Sequence, residues 1–305
     1  MLVDPVTLAR ALGLPASAEV EFEPLAGASV LAEIATVRTS EGSRRVVLRS
    51  NHDSEAAMNH CAVMEALTNA GFGAMPKLIG VDLDVAIESW VDGVTALQLV
   101  PPAGSAEAAI EALAALHALP VREGLRWGAS PAEALPGPDV PLHRLGFAAH
   151  EREPAREWLQ AMHEVLLEGP FGFVHGEATA ANVLLAPGRA WLTEFSGAGF
   201  GAQLFDVAAF LLTCGLEAPA RQALAARYAQ ARGLGRETAD LVDLAGIAWG
   251  MNELLGLPRR QVETLGDDIA TEMLRTIAVR IDRGIRQGAG SHPVAVALRA
   301  ALWPA

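Results

Sequence analysis

An acid, an amide and a second acid fall at a spacing that can carry group transfer. Glu177 and Asn182 lie five residues apart in Phe173-Val174-His175-Gly176-Glu177-Ala178-Thr179-Ala180-Ala181-Asn182-Val183-Leu184-Leu185, and Glu194 follows twelve residues later in Trp191-Leu192-Thr193-Glu194-Phe195. The apolar residues around them place the three on loops about a short hairpin. Such a trio suits phosphoryl transfer. One acid orients an attacking hydroxyl and accepts its proton, while the amide oxygen and the other acid hold Mg²⁺ against the phosphates. Either glutamate alone would read as an ordinary surface acid; the amide between them and the flanking apolar runs set them apart. His175 and His117 are expected to pack and to hydrogen-bond backbone rather than to do chemistry.

Other elements must position this trio. Residues 20–24, 30–39 and 44–49 are rich in β-branched side chains and are broken by Leu25-Ala26-Gly27-Ala28-Ser29 and Ser40-Glu41-Gly42-Ser43, the pattern of an antiparallel meander. Residues 54–70 read as a helix, with Ser54 as N-cap and Gly71 as stop. Two strands are expected at 76–81 and 85–90. From about residue 105 the period changes, and 106–119 reads as an Ala/Leu helix ended by Pro120. Residues 124–142 form a Pro/Gly-rich loop, 153–168 a helix, and 172–174, 182–186 and 190–195 short strands. Helices fill 203–303. The expected architecture is α+β: a small N-terminal sheet lobe with one helix, residues 1–91, and a larger helical lobe, residues 92–305.

Composition narrows the function classes. The chain has 305 residues, 51% hydrophobic and 19% charged, which excludes intrinsic disorder. Its net charge of -13 argues against nucleic acid or an anionic membrane surface as partner; it is compatible with a cationic small substrate and equally with a simply acidic, solvated surface. Cys61 and Cys214 belong to no Cys/His cluster, so neither a disulfide framework nor a zinc site is expected. The start of the chain lacks the pattern of a signal peptide, and no apolar run reaches the roughly 18 residues of a spanning helix, so a cytoplasmic location is expected.

The ordered motifs resemble the aminoglycoside phosphotransferase and choline kinase family, whose fold is protein-kinase-like. That family carries H-G-D-x-x-x-x-N, then D-F or D-W, then D-L-A. This chain reads His175-Gly176-Glu177 to Asn182, then Glu194-Phe195, then Asp206-Val207-Ala208. The resemblance extends to Leu113-Ala114-Ala115-Leu116-His117-Ala118-Leu119-Pro120, to Ala74-Met75-Pro76-Lys77-Leu78-Ile79-Gly80 and to Ile87-Glu88-Ser89-Trp90-Val91-Asp92-Gly93. It implies ATP with Mg²⁺ or Mn²⁺ and a small hydroxylated acceptor that is aminoglycoside-, choline- or sugar-like. It makes Glu177 the catalytic base and Asn182 and Glu194 the metal ligands. Arg49 takes the place of the strand lysine that pairs with the phosphates; Arg binds phosphate bidentately, so the role survives. Its implied partner is a glutamate on the next helix, Glu55 first and Glu65 second. Gly27 and Ser29 stand in a thin Gly loop over the phosphates. Glu88, Trp90 and Val91 lie in the segment whose backbone reads adenine, and Asp206 braces the catalytic loop. The acceptor is expected near 124–142 and the helices after 245, where Asp243, Glu253, Asp267 and Asp268 would face a cation.

The chain departs from the family at both key aspartates. Each glutamate adds about 1 Å of reach, and a misplacement of about 1 Å can cost roughly 10²-fold in rate. Charge is nevertheless retained at both positions. Three readings follow: an active phosphotransferase, a catalytically impaired nucleotide-binding pseudokinase of the same family, and changed chemistry on the same fold. Gly197-Ala198-Gly199-Phe200-Gly201-Ala202 matches a dinucleotide fingerprint, but a helix rather than a second strand ending in an acid follows it. Its glycines are expected to form a flexible loop.

Overall fold

The computed structural model describes residues 2–25, 31–40, 42–98, 104–120, 149–263, 268–288 and 290–302. Asp4 starts the first helix, α1 (Pro5–Ala11), by accepting the N–H groups of Val6 and Thr7 at 3.0 Å. Strands β1 (Glu19–Pro24), β2 (Ala32–Thr39) and β3 (Gly42–Arg49) follow as the expected meander. Helix α2 (Ser54–Asn69) is capped by Asp53, whose carboxylate accepts the Glu55 N–H, one residue before the cap expected from sequence. Strands β4 (Leu78–Asp82) and β5 (Val85–Ser89) complete an antiparallel sheet of order β1-β2-β3-β5-β4. Ala35, Val37, Val46, Leu48, Val85 and Ile87 form its apolar face, and Val3, Leu8 and Leu12 around α1 close over them.

Two positions in this sheet matter for the site. β3 pairs with β5 so that Val47 opposes Glu88 and Arg49 opposes Ala86. Arg49 and Glu88 are therefore diagonal neighbours on one face, within reach for long side chains. The buried residues of α2 are Ala57, Asn59, His60, Cys61, Val63, Met64 and Leu67, a face that includes two polar side chains, Asn59 and His60.

The rest is mainly helical. β6 (Val94–Thr95) pairs with β8 (Val183–Ala186), which pairs with β9 (Arg189–Leu192). Between them lie α3 (Ser105–His117), α4 (Ala149–Leu167) and β7 (Phe171–Val174). β7 pairs with β10 (Gly199–Ala202), so of the glycines expected to form a loop Gly199 and Gly201 make a strand instead, while Gly197 lies in a turn. Glycine suits that strand because a Cβ on Gly201 would come within 3.1 Å of Val174. Helices α5 (Gln203–Thr213), α6 (Ala218–Arg232), α7 (Thr238–Glu263), α8 (Asp268–Arg286) and α9 (Pro293–Leu302) complete the chain. Leu113, Leu116, Phe173, Phe195, Phe210 and Tyr228 anchor their common core. Among the described residues no helix is long and apolar enough to cross a membrane.

Candidate active site

The site grows from the turn after β7. Asp206, in the first turn of α5, accepts the N–H of His175 at 2.6 Å and of Gly176 at 3.0 Å. Its Oδ2 also lies 3.0 Å from His117 Nε2, and His117 Nδ1 lies 2.8 Å from the Tyr228 hydroxyl. One buried carboxylate thus clamps the turn to two helices. His175 Nε2 donates to the Thr193 carbonyl at 2.9 Å, and its Nδ1 accepts the Glu177 N–H at 3.2 Å. Burial holds this imidazole below its ordinary pKa, which agrees with a ring that donates at one nitrogen and accepts at the other. Gly176 has φ +83°, and a Cβ there would meet the Gly197 carbonyl oxygen at 2.1 Å, so only glycine fits.

The same scaffold gathers the acidic trio. The Asn182 carbonyl accepts the Thr193 N–H at 2.9 Å and the Thr193 hydroxyl at 3.1 Å, one step beyond the β8–β9 ladder. The Asn182 amide nitrogen donates to the Glu177 carbonyl at 2.9 Å, which leaves Oδ1 available as an acceptor. Glu177 is exposed, and its Cγ would lie 3.1 Å from a Cβ placed on Gly197. Its side chain therefore runs over the Gly197 backbone, beside the turn that follows Glu194.

Glu194 is 2% exposed and has φ +65°, a left-handed conformation that costs a non-glycine residue of order 1–3 kcal/mol. Its Oε1 accepts the Ser196 N–H at 3.4 Å, and its Oε2 lies 3.4 Å from Arg49 Nη1. Arg49 Nε lies 3.0 Å from Glu88 Oε1, and the same oxygen lies 2.9 Å from His60 Nε2. His60 Nδ1 in turn accepts the Phe195 N–H at 2.9 Å. Asn59 donates to the carbonyls of Ser196 and Ala198, both at 2.9 Å. Burial opposes charge on Glu88, but Arg49 and His60 outweigh it and hold its carboxyl below the usual carboxylate range. Burial likewise opposes charge on Arg49, and Glu88 and Glu194 outweigh it.

The structure therefore gathers Arg49, Glu177, Asn182 and Glu194. It corrects the partner of Arg49: the guanidinium is held by Glu88 and Glu194, whereas Glu55 and Glu65 are exposed on α2. It also corrects Glu88. This residue has a strand on either side, opposite Val47 and Leu78, so its backbone is not free to read adenine, and its side chain turns inward to Arg49. Trp90 and Val91 follow β5, which ends at Ser89; the Trp90 indole donates to Asp92 at 2.7 Å beneath the Arg45 guanidinium, 4.2 Å from the ring centre. Gly27, Ser29 and Asp267 lie outside the described residues. Asp243, expected to face a cationic acceptor, is paired with Arg299. Sequence reasoning missed Asn59, His60 and the side-chain role of Glu88. Their signal was polarity out of pattern: two polar residues on an apolar helix face, and an acid closing the run Val85-Ala86-Ile87.

The donors fit a hard cation. Mg²⁺ takes oxygen ligands, usually one or two from protein and the rest from phosphates and water, and the Glu194 carboxylate and Asn182 Oδ1 are a set of that kind at neighbouring strand ends.

Comparison with curated protein sequences gives no match. Solved structures share the fold. A choline/ethanolamine kinase family protein from Mesorhizobium loti is 17% identical with TM-score 0.59, the alignment covering 97% of each chain. A microcompartment-associated aminopropanol kinase is 17% identical with TM-score 0.61, covering 93% of this chain and 97% of the other. A macrolide 2′-phosphotransferase from Brachybacterium faecium is 17% identical with TM-score 0.59, covering 91% and 97%. The two-lobed, protein-kinase-like architecture expected from sequence is the one these proteins share. The family model described as the phosphotransferase enzyme family matches residues 30–242, which contain the turn after β7, Glu194 and Arg49, and the chain belongs to that family.

Proposed function

We propose that the protein is an ATP- and Mg²⁺-dependent kinase that phosphorylates a hydroxyl of a small, cationic amino alcohol or sugar-like molecule. The observation that supports this most is the single hydrogen-bonded scaffold joining Glu177, Asn182 and Glu194, with Arg49 reaching it from β3. Glu177 orients the acceptor hydroxyl and takes its proton. Asn182 and Glu194 would hold the metal, which neutralises phosphate charge when bound. Arg49 stabilises the phosphates, and Trp90 and Val91 offer backbone to adenine. The acceptor class draws on the choline/ethanolamine and aminopropanol kinases of the same fold and on the net charge of -13.

A specific observation favours a second reading, a nucleotide-binding pseudokinase. Glu194 is buried and tied to Arg49, so a metal would compete with that tie for its carboxylate. A thermal-shift titration with ATP and Mg²⁺ or Mn²⁺, followed by an ADP-release screen over amino alcohols, aminoglycosides and sugars, separates the two. Turnover on an acceptor that is lost in Glu177→Gln supports the kinase. Stabilisation by nucleotide without turnover on any acceptor supports the pseudokinase, and no nucleotide effect defeats both.

A further inference from the structure

The carboxylate that holds Arg49 lies on the inner strand β5, diagonal to Arg49 in the sheet, and α2 contributes a histidine to the cluster instead of an acid. The two carboxylates on Arg49 are not equivalent. Glu88 Oε1 takes both Arg49 Nε at 3.0 Å and His60 Nε2 at 2.9 Å. Glu194 makes one longer contact, at 3.4 Å, from a turn whose Ser196 N–H also reaches only 3.4 Å. His60 accepts the Phe195 N–H at Nδ1, so its proton is on Nε2 and the ring is a one-way bridge from backbone to Glu88. With that tautomer the cluster of Arg49, Glu88 and Glu194 carries one net negative charge. A divalent cation drawing Glu194 away leaves Arg49 and Glu88 as a neutral pair, and it frees Nη1 for a phosphate oxygen.

We propose that Glu88 is the permanent partner of Arg49 and Glu194 the exchangeable one, with His60 the positioning residue that ties Glu88 to the Glu194 turn. Metal–nucleotide binding then exchanges the Arg49–Glu194 contact for Arg49–phosphate and Glu194–metal contacts, while Glu88 keeps the guanidinium in place. This rests on the kinase or nucleotide-binding reading above, because it needs a nucleotide to enter.

The test is a titration of the full chain with a fluorescent ATP analogue, with and without Mg²⁺. In Glu88→Gln only Glu194 still neutralises Arg49, so the exchange is opposed. Affinity for the Mg²⁺ complex should fall about tenfold or more, the range for losing a hydrogen bond to a charged group. His60→Leu should raise half-saturating Mg²⁺ similarly, whereas His60→Gln, which keeps a donor and an acceptor, should restore it to within about threefold of the parent. A merely structural role would not show that rescue. Glu194→Gln keeps Glu88 and His60 intact and guards against a misfolded Glu88 variant. It should bind the metal-free analogue at least as well as the parent and lose the gain from Mg²⁺. If metal-free binding by Glu194→Gln drops about tenfold, or folded Glu88→Gln matches the parent, the exchange is refuted. A parent protein that binds no nucleotide defeats the functional reading instead, so the two failures are distinct.

Discussion

Gly176→Ala separates two physical effects when set beside Gly188→Ala. Both glycines have positive φ, +83° and +68°. Gly188, in the β8–β9 hairpin, has nothing within 4 Å of an added Cβ. Alanine there bears only the left-handed backbone cost, about 1–2 kcal/mol, partly offset by a less flexible unfolded chain, for a net loss of about 1 kcal/mol. At Gly176 the added Cβ would lie 2.1 Å from the Gly197 carbonyl oxygen. Carbon contacts are comfortable at about 3.5 Å, so one backbone must retreat by more than about 1 Å. The Gly176 N–H then leaves Asp206 Oδ1, now 3.0 Å away, and a buried carboxylate loses a donor. Losing such a bond costs about 1–3 kcal/mol more. We expect Gly188→Ala to melt about 2–3 °C lower and Gly176→Ala about 5–10 °C lower, measured by circular dichroism. If turnover is found, the displaced Glu177 should also lower it by about 10²-fold in Gly176→Ala alone. Equal melting of the two variants, to within about 0.5 kcal/mol, would refute the claim that this close approach builds the turn.

Three further outcomes follow from buried groups. Asp206→Asn replaces an acceptor oxygen with a donor facing the N–H groups of His175 and Gly176, and urea unfolding should show a loss of about 2–4 kcal/mol. His175 is held below its ordinary value of 6.5, so the unfolded chain binds the proton first; this share of stability is complete above pH 6.5 and lost as pH falls toward the folded value, and melting across that range reads it. Glu88, held below its ordinary 4.5, adds a second loss as pH falls below that value. Burial pushes the Cys61 and Cys214 thiols up to about 11, so a thiol reagent at pH 8 should label neither in the native protein and both in urea.

Much of this was readable because the chemistry sits in local patterns. Glu177, Asn182 and Asp206 are separated by short stretches whose turn and strand signals fix their neighbours. The cluster at Arg49 was harder. Its geometry depends on the register of β3 against β5, which places Glu88 diagonal to Arg49, and no local signal sets that register. The family resemblance implies a glutamate of the next helix, Glu55 or Glu65, as the partner of Arg49. The α2 residue at the cluster is His60, which reaches Arg49 only through Glu88. The glycines at 197–202 read as a loop on composition. Gly197 does lie in a turn, but Gly199 and Gly201 pair with β7 as strand β10, and at Gly172 and Gly201 the closest atoms to an added Cβ are side chains, Gln203 and Val174.

The two extra methylenes, which on sequence alone leave activity in question, meet accommodating surroundings. The Glu194 carboxylate spans to Arg49 at 3.4 Å; an aspartate, shorter by about 1 Å of reach, would leave that contact beyond salt-bridge distance. The longer acid is what makes a buried tie between β3 and the β9 strand end possible. Glu177 finds its room at Gly197, where a Cβ would crowd its Cγ at 3.1 Å. A site in which charge had merely persisted through decay would have no reason to pair a longer acid with an absent side chain on one side and a guanidinium at matching reach on the other. That fit argues that the glutamates and their neighbours form one adapted set. It also sharpens the back-substitution test: Glu194→Asp should weaken coupling between the lobes as well as metal affinity, and its thermal stability should fall even without nucleotide. Unchanged melting would mean that the Arg49–Glu194 tie contributes nothing and that the match in length is incidental.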